Sequence, residues 1–221
     1  MLLLALDTAT PAITVALHDT DGGGTLATSD QNDARHHGEL LLPAVDRVLR
    51  EAGRGLREVD AIVVGVGPGP YTGLRVGLAT ADSFAAALGI PVHGLCTLDG
   101  IAYASGLDTP FVVATDARRK EVYWARYADS RTRTGEPAVD RPAEIAEQVA
   151  GLSAVGAGAL LYEEVFDGAR RDLPADQSAA ALASLAAEKL ARGEELLPPR
   201  PLYLRRPDAK VPANYKVVTP K

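Results

Sequence analysis

Residues Gly65–Gly77 form the one stretch of this chain whose composition and spacing indicate a dedicated site. The stretch reads GVGPGPYTGLRVG and follows a short apolar run, Ala61–Val64, that has the composition of a buried strand. Its glycines and prolines force a sharp loop, and Thr72 is expected to cap a helix that runs from Gly73 to Gly89. A glycine-rich loop that opens a helix offers backbone amides to an anion, so phosphate binding is the first chemistry to consider.

The common phosphate-loop signatures are nevertheless missing from this stretch. No Lys-Ser/Thr pair follows the last glycine, and the glycine spacing is not GxGxxG. The loop is therefore ordered for a purpose that these two signatures do not identify.

The histidines are the next candidates, because His36 and His37 are adjacent. Two imidazoles that bind one metal from a helix face need a spacing of four, and adjacent residues point apart by about 100°. Leu41 stands four residues after His37. No G-x-S-x-G motif occurs, and Cys96 has no histidine near it in the sequence. We predict no metal site and no catalytic residue.

The elements that must position these residues repeat in the two halves of the chain. An apolar strand, Leu2–Leu6, is followed by Asp7, a turn and a second strand, Ile13–His18. The same order recurs around Asp116, where the two strands are Phe111–Thr115 and Val122–Tyr127. Each second strand begins six residues after its aspartate, which favours two duplicated lobes. The alternative is that strand–turn–strand units are common and aspartate is an ordinary turn residue.

Further elements complete each lobe. The sequence predicts a third strand at Thr25–Ser29, a helix at Leu40–Ala52, a crossover strand at Ile90–His93 and a late helix at Ser178–Ala191. The helix after the glycine loop has one nearly bare face, formed by small residues every four positions: Gly73, Gly77, Ala81 and Ala85. Glycine inside a helix costs about 1 kcal/mol relative to alanine, so this face needs a reason. Close packing on the chain's own sheet and contact with a partner's helix both remain open.

Composition limits the class of protein. The chain has 221 residues, 47% of them hydrophobic, which is enough for a large core. Its net charge of −6 argues against a protein whose whole surface binds nucleic acid. One cysteine excludes a disulfide framework, and no apolar run approaches the ~18 residues of a membrane span. The N-terminal run lacks a basic leader and is not expected to be a signal peptide. We expect a cytoplasmic protein with no membrane partner.

The C-terminal end differs from the rest. Residues 198–221 contain six of the fifteen prolines and carry a side-chain charge of +5, whereas the other 197 residues carry −11. A basic, extended end on an acidic body is a candidate RNA contact, and the alternative is a solvated arm that keeps the protein soluble. The candidate contacts are Arg205, Arg206, Lys210 and Lys216.

The loop also carries a family resemblance. Residues 67–77, read GPGPYTGLRVG, are similar to the signature GPGSFTGLR-(I/V)-G of the bacterial TsaB (YeaZ) family, with Pro70 and Tyr71 as departures. Three other segments agree in order and spacing: Leu6–Thr10, His37–Pro43, and Asp116–Arg118 running into Glu121–Ala125. The tail segment Pro201–Arg205 is similar to the end of the family as well. The resemblance spans residues 1 to about 206.

The resemblance implies an α/β fold of two ribonuclease-H-like lobes of the ASKHA (actin/hexokinase-like) superfamily, with mixed sheets flanked by helices. We expect an N-terminal lobe over residues 1–100, which carries the glycine loop, and a C-terminal lobe over 101–197. The split should fall near 97–109, and residues 198–221 should form the tail. In this superfamily the turn after the first strand is a phosphate loop.

In this chain that turn has small residues, but its counterpart in the second half, residues 116–120, has no glycine and three long cations. We therefore interpret Asp7, Thr8 and Thr10 as a vestigial phosphate loop. We expect Asp7 and Asp116 to close their turns rather than hold Mg²⁺.

The resemblance also implies a function. TsaB is a paralogue of TsaD, the catalytic subunit that makes threonylcarbamoyladenosine next to the tRNA anticodon, and the HxxxH metal motif of TsaD is absent here because Leu41 occupies its second position. The implied role is a non-catalytic scaffold and dimerisation subunit that pairs with TsaD, recruits the ATPase TsaE, contacts tRNA through the complex and forms a homodimer when alone. No resident cofactor is implied, although a nucleotide could lie at a partner interface.

We predict that partners dock on a helix face formed by small and apolar residues of two helices: Leu41, Val45, Val48, Gly73, Gly77, Ala81 and Ala85. The alternatives are a small ASKHA-type kinase or ATPase, which needs a nucleotide loop in the second lobe, and an M22-type glycoprotease-like metallopeptidase, which needs a set of metal ligands.

Overall fold

Two sheets with the same strand order organise the chain in the computed structural model, which describes residues 1–33 and 35–205. The strands of the first sheet are β1 (Leu2–Asp7), β2 (Ala12–Asp19), β3 (Gly24–Asn32), β4 (Ala61–Gly65) and β5 (Val92–Leu95), in the order β3-β2-β1-β4-β5. β1, β2 and β3 are antiparallel, whereas β4 and β5 run parallel to β1. Two helices lie between strands of this sheet along the chain, α1 (His37–Glu51) and α2 (Tyr71–Leu88).

The second lobe follows a linking helix, α3 (Thr97–Ser105). Its strands are β6 (Phe111–Asp116), β7 (Val122–Asp129), β8 (Thr132–Arg133), β9 (Ala138–Asp140), β10 (Ser153–Val155) and β11 (Gly168–Ala169). The sheet order is β11-β10-β6-β7-β8, with β9 also paired to β7. The remaining helices are α4 (Pro142–Val149), α5 (Ala157–Leu161) and α6 (Ala179–Ala191).

The two sheets share one topology. In each, a first strand pairs with an antiparallel second strand on one side and with a parallel later strand on the other. β1 is buried along its whole length, and β6 is buried as far as Thr115, which explains why both read as continuous apolar runs. The prediction of two α/β lobes with mixed sheets flanked by helices is confirmed.

The helix after the glycine loop begins earlier than predicted. Its N-cap is Pro70 and its first residue is Tyr71, so Thr72 lies inside the first turn instead of capping it. Pro70 has an extended backbone and no amide hydrogen, which suits the position before a helix. The helix ends at Leu88, where Gly89 adopts a left-handed conformation.

The predicted boundaries between lobes need two corrections. α3 occupies the region where we expected a split, and Leu98 and Ile101 are buried with Phe111 in the second-lobe core. α6, which we assigned to the C-terminal lobe, packs instead on the first sheet, where Leu182 joins a cluster with Leu3. A helix with small apolar residues on its inner face covers whichever sheet is unshielded, and sequence order does not decide which one that is.

The segment after α6 returns across the first lobe. We call residues 194–205 the C-terminal strap. The amide of Gly94 donates to the carbonyl of Leu197 (2.7 Å), and the amide of Leu202 donates to the carbonyl of Val66 (2.8 Å). The strap then reaches the second lobe, where Arg205 pairs with Glu121. Among the residues that the structure describes, no helix is both long and apolar enough to cross a membrane.

Candidate functional site

The glycine motif packs directly on the turn between β1 and β2. A Cβ atom on Gly73 would lie 2.5 Å from the carbonyl oxygen of Thr8, and one on Gly77 would lie 2.6 Å from the Thr8 hydroxyl. A Cβ atom on Gly65 would overlap the Asp7 carboxylate, and a Cβ atom on Gly69 would overlap the carbonyl of Ala9. Side chains at these positions would overlap the turn, so the loop and α2 can approach it only with glycine there.

Thr8 joins the turn to α2 through its hydroxyl. Its Oγ1 donates to the carbonyl of Gly73 (2.7 Å) and accepts from the amide of Gly77 (3.0 Å). Thr10 donates to the side-chain oxygen of Gln177, whose amide nitrogen donates to the carbonyl of Ala12 (2.8 Å). Both threonines are buried, and their hydroxyl groups are bonded within the protein.

Asp7 is fully buried at the end of β1. One carboxylate oxygen accepts from the amide of Ala9 (2.7 Å), and the other accepts from the hydroxyl of Thr97 (2.8 Å) at the start of α3. Burial raises the pKa of Asp7 to about 6, and these hydrogen bonds oppose the increase. In the second lobe, Asp116 accepts from the amide of Arg118 (2.8 Å). The prediction that both aspartates close their turns is confirmed.

The predicted docking face is wrong. Leu41, Val45, Val48 and Ala81 are buried in the core of the first lobe, and Ala85 packs against that core. Gly73 and Gly77 are buried against the β1–β2 turn. The helical spacing identified a buried face correctly, but the chain's own sheet and turn cover it. The first of the two explanations left open by the sequence is therefore the right one.

The adjacent histidines have separate roles. His37 is buried, and its Nε2 lies 2.9 Å from the carbonyl oxygen of Thr10, so it anchors the start of α1 to the turn. His36 is exposed and lies beside Asp33 (2.8 Å), which raises the pKa of the imidazole. In the part of the chain that the structure describes, no three His, Cys, Asp or Glu side chains come together as metal ligands.

An open cleft of about 680 Å³ lies between the start of α2, the β6–β7 turn and the strap. Tyr71 and Tyr203 stack at its rim with ring centroids 5.5 Å apart, and about half of each residue is exposed. Arg75 lies 4.0 Å from the Tyr71 centroid and donates to the Tyr203 hydroxyl (3.1 Å). The sequence did not mark Tyr203 as a site residue, because 128 residues separate it from Arg75.

The β6–β7 turn presents cations to this cleft. Arg118, Arg119 and Lys120 all have left-handed backbones, with φ values of 61°, 57° and 63°. Such conformations cost of order 1–3 kcal/mol each in non-glycine residues. The turn is held by the Asp116–Arg118 contact, which includes a salt bridge of 3.2 Å, and by the amide of Glu121 donating to the carbonyl of Arg118 (3.0 Å).

Of the predicted tRNA contacts, the structure describes only Arg205. It lines the cleft and pairs with Glu121. Arg206, Lys210 and Lys216 lie outside the described residues.

Comparisons with known proteins agree with one another. The family model for TsaD, described as tRNA N6-adenosine threonylcarbamoyltransferase, matches residues 25–190. The chain is 44% identical to an uncharacterized protein of Mycobacterium tuberculosis over 212 residues, which cover 94% of this chain and 93% of that protein. It is 37% identical to Escherichia coli tRNA threonylcarbamoyladenosine biosynthesis protein TsaB over 130 residues, 58% of this chain and 55% of TsaB. The structure of YeaZ from Pseudomonas aeruginosa superposes with a TM-score of 0.77 at 33% identity, over 91% of this chain and all of YeaZ.

Proposed function

This chain belongs to the TsaB (YeaZ) family, and we propose on that basis that it is a subunit of the complex that makes threonylcarbamoyladenosine in tRNA. Its role is to pair with the TsaD paralogue, which holds the active site, and to recruit the ATPase TsaE. It works in the cytoplasm, where the tRNA substrate is.

The contacts at the β1–β2 turn carry the non-catalytic part of this proposal. A phosphate loop needs open space and unpaired backbone amides next to the phosphate. Here Gly73 and Gly77 bring α2 against Thr8, and the Ala9 amide is bonded to Asp7. A kinase or ATPase would have to break these contacts before a phosphate could enter, so an accessory role fits the site better.

Partner docking fits the outward side of the same two helices whose inner faces form the core. α1 exposes Leu42, with 53% of its surface accessible, and α2 exposes small residues on its outer side: Ala79, Ser83 and Ala86. α1 and α2 are in contact, so one partner can meet both Leu42 and the small outer residues of α2, against which a helix can approach closely and gain dispersion contacts. A TsaD protomer and a second copy of this chain would compete for this outer helix face, so heterodimer and homodimer would be mutually exclusive.

Reconstitution tests the proposed function. Purified TsaD and TsaE of the same organism would be mixed with tRNA, ATP and threonylcarbamoyl-adenylate, with and without this chain. Modified adenosine, measured by mass spectrometry of digested tRNA, should form only when the chain is present. The chain alone should release no phosphate from ATP. Modification that proceeds equally well without the chain, or steady ATP hydrolysis by the pure chain, would contradict the proposal.

A further inference from the structure

We propose that the cleft between the two lobes binds an unstacked nucleotide of an RNA strand, with the base on the Tyr71–Tyr203 pair and the phosphate on Arg118 and Arg119. This inference rests on the proposed function, because the RNA it concerns is the tRNA that the complex modifies. It differs from the sequence-based prediction, which assigned RNA contact to the tail.

The aromatic pair has the exposure that a stacking platform needs. Tyr71 is 55% exposed and Tyr203 is 44% exposed, although large aromatic rings usually bury most of their surface. Their contact and the Arg75 guanidinium fix the two rings in place, so little side-chain entropy would be lost when a base stacks on them. RNA-binding proteins use such rings to hold bases that have left the helix.

The cleft also holds cations that a phosphate group can contact. Arg118 and Arg119 line the same cleft as the two tyrosines, and both are exposed. The side chain of Arg118 keeps 59% of its surface accessible despite its salt bridge to Asp116. The left-handed backbone of the turn projects three consecutive cations from one short segment, while the chain as a whole is acidic. This local charge complements a phosphodiester backbone.

The turn favours RNA over a free nucleoside triphosphate. A triphosphate is usually held by several backbone amides in a small concave loop. In this turn the amides of Ala117, Arg118 and Glu121 are all bonded within the turn, to the Glu121 carbonyl, the Asp116 carboxylate and the Arg118 carbonyl. The exposed Arg118 guanidinium can still contact a phosphate, and a guanidinium suits single phosphates spaced along a strand.

Two pairs of variants test the site in the assembled complex with TsaD and TsaE. Tyr203→Ala removes a ring, and Tyr203→Phe keeps the ring but loses the hydroxyl. The double variant Arg118→Gln/Arg119→Gln removes two charges from the cleft, and Arg141→Gln/Arg171→Gln removes two charges from exposed positions outside the cleft lining. The probe is a fluorescein-labelled unmodified tRNA transcript, measured by anisotropy at several salt concentrations, with AMP and ATP as competitors.

We expect Tyr203→Ala to weaken tRNA binding about tenfold, and Tyr203→Phe to weaken it by no more than about threefold, because the stacking ring is kept and only the hydrogen bond from Arg75 is lost. Substitution of the cleft arginine pair should make the negative slope of log K against log salt shallower by about 1.4, and substitution of the control pair should leave the slope unchanged. AMP and ATP at millimolar concentration should not displace tRNA.

Three results would overturn the inference while the proposed function stands, provided that the wild-type complex modifies tRNA. Unchanged tRNA affinity in both cleft variants would exclude the RNA site. Displacement of tRNA by AMP or ATP would indicate a free-nucleotide site. If Tyr203→Ala weakens the binding of TsaD or TsaE, and the fraction of the complex that still assembles binds tRNA normally, then Tyr203 makes a protein contact. A wild-type complex that neither binds nor modifies tRNA would instead refute the proposed function.

Discussion

Asp7 links the protonation of one buried carboxyl to the stability of the whole first lobe. Its two oxygens join β1 to its own turn and to α3, and no part of its side chain reaches solvent. Its pKa in the folded protein is raised to about 6 from an ordinary value of 3.8. The folded state therefore binds this proton more tightly than the unfolded state does. The free energy of unfolding should fall as pH rises from about 4 to about 6, and then level off.

Asp7→Asn should remove this dependence. The asparagine keeps an acceptor for the Ala9 amide and carries no charge at any pH. Relative to the wild type, its free energy of unfolding should rise by roughly 2 kcal/mol between about pH 4.5 and about pH 7.5, as measured by urea denaturation. Asp46→Asn, at an exposed position of α1, controls for the loss of one negative charge. A constant difference between Asp7→Asn and wild type at both pH values would show that the carboxyl titrates normally.

For single residues, the sequence predicted the role of a side chain better than its hydrogen-bond partners. The turn-closing roles of Asp7 and Asp116 follow from residue type and position alone. The partners of Asp7 and Thr10 do not, because Thr97 and Gln177 reach the turn from 90 and 167 residues away. Tyr203 was missed for the same reason, since its stacking on Tyr71 depends on how the strap crosses the first lobe.

At the scale of elements, the glycines of α2 allow the helix to approach the β1–β2 turn closely. The helix lies so close to the β1–β2 turn that Thr8 bonds to the backbone at both Gly73 and Gly77. Gly77→Leu should therefore destabilise the isolated protein by about 3 kcal/mol or more, since the added side chain meets Thr8 and there is no room to relax. Urea denaturation monitored by circular dichroism measures this loss.

Gly38→Leu is the matched control for that variant. Gly38 is also helical and exposed, and a Cβ atom there would have no neighbour within 4 Å. We expect Gly38→Leu to leave stability unchanged or to raise it by up to about 1 kcal/mol, since leucine favours helices. Equal stability of both variants and the wild type would mean that α2 does not press on the turn.

Most strands and the long helices could be predicted from periodicity, but how these elements pack against one another could not. The strands around Asp7 and Asp116 were placed within two residues, because apolar runs between turn residues define them. α3 was missed, since nine residues of mixed polarity between two lobes read as a linker. The four-residue glycine spacing indicated a close contact, but spacing alone does not say whether the contact is internal or with a partner.

At the scale of the whole molecule, the two lobes repeat one topology but differ in the environment of their equivalent turns. The first lobe buries its turn under α2, whereas the second presents a strained, cationic turn to an open cleft. The duplication could be predicted from the sequence because both copies kept the order of strand, aspartate, turn and strand. The position of α6 could not, because either sheet offered an apolar face to a helix rich in alanine and leucine.

The proposed pairing with TsaD through the outer sides of α1 and α2 can be measured as the dissociation constant between this chain and the TsaD protein of the same organism. Analytical ultracentrifugation would compare the wild type with Leu42→Asp on the outer side of α1 and with Leu161→Asp on α5, where a leucine of similar exposure (56%) lies in the second lobe. We expect tight binding for wild type and Leu161→Asp, and binding at least about tenfold weaker for Leu42→Asp, because a charge would be buried in the interface. Equal binding by Leu42→Asp and wild type, or no binding by the wild type, would contradict it.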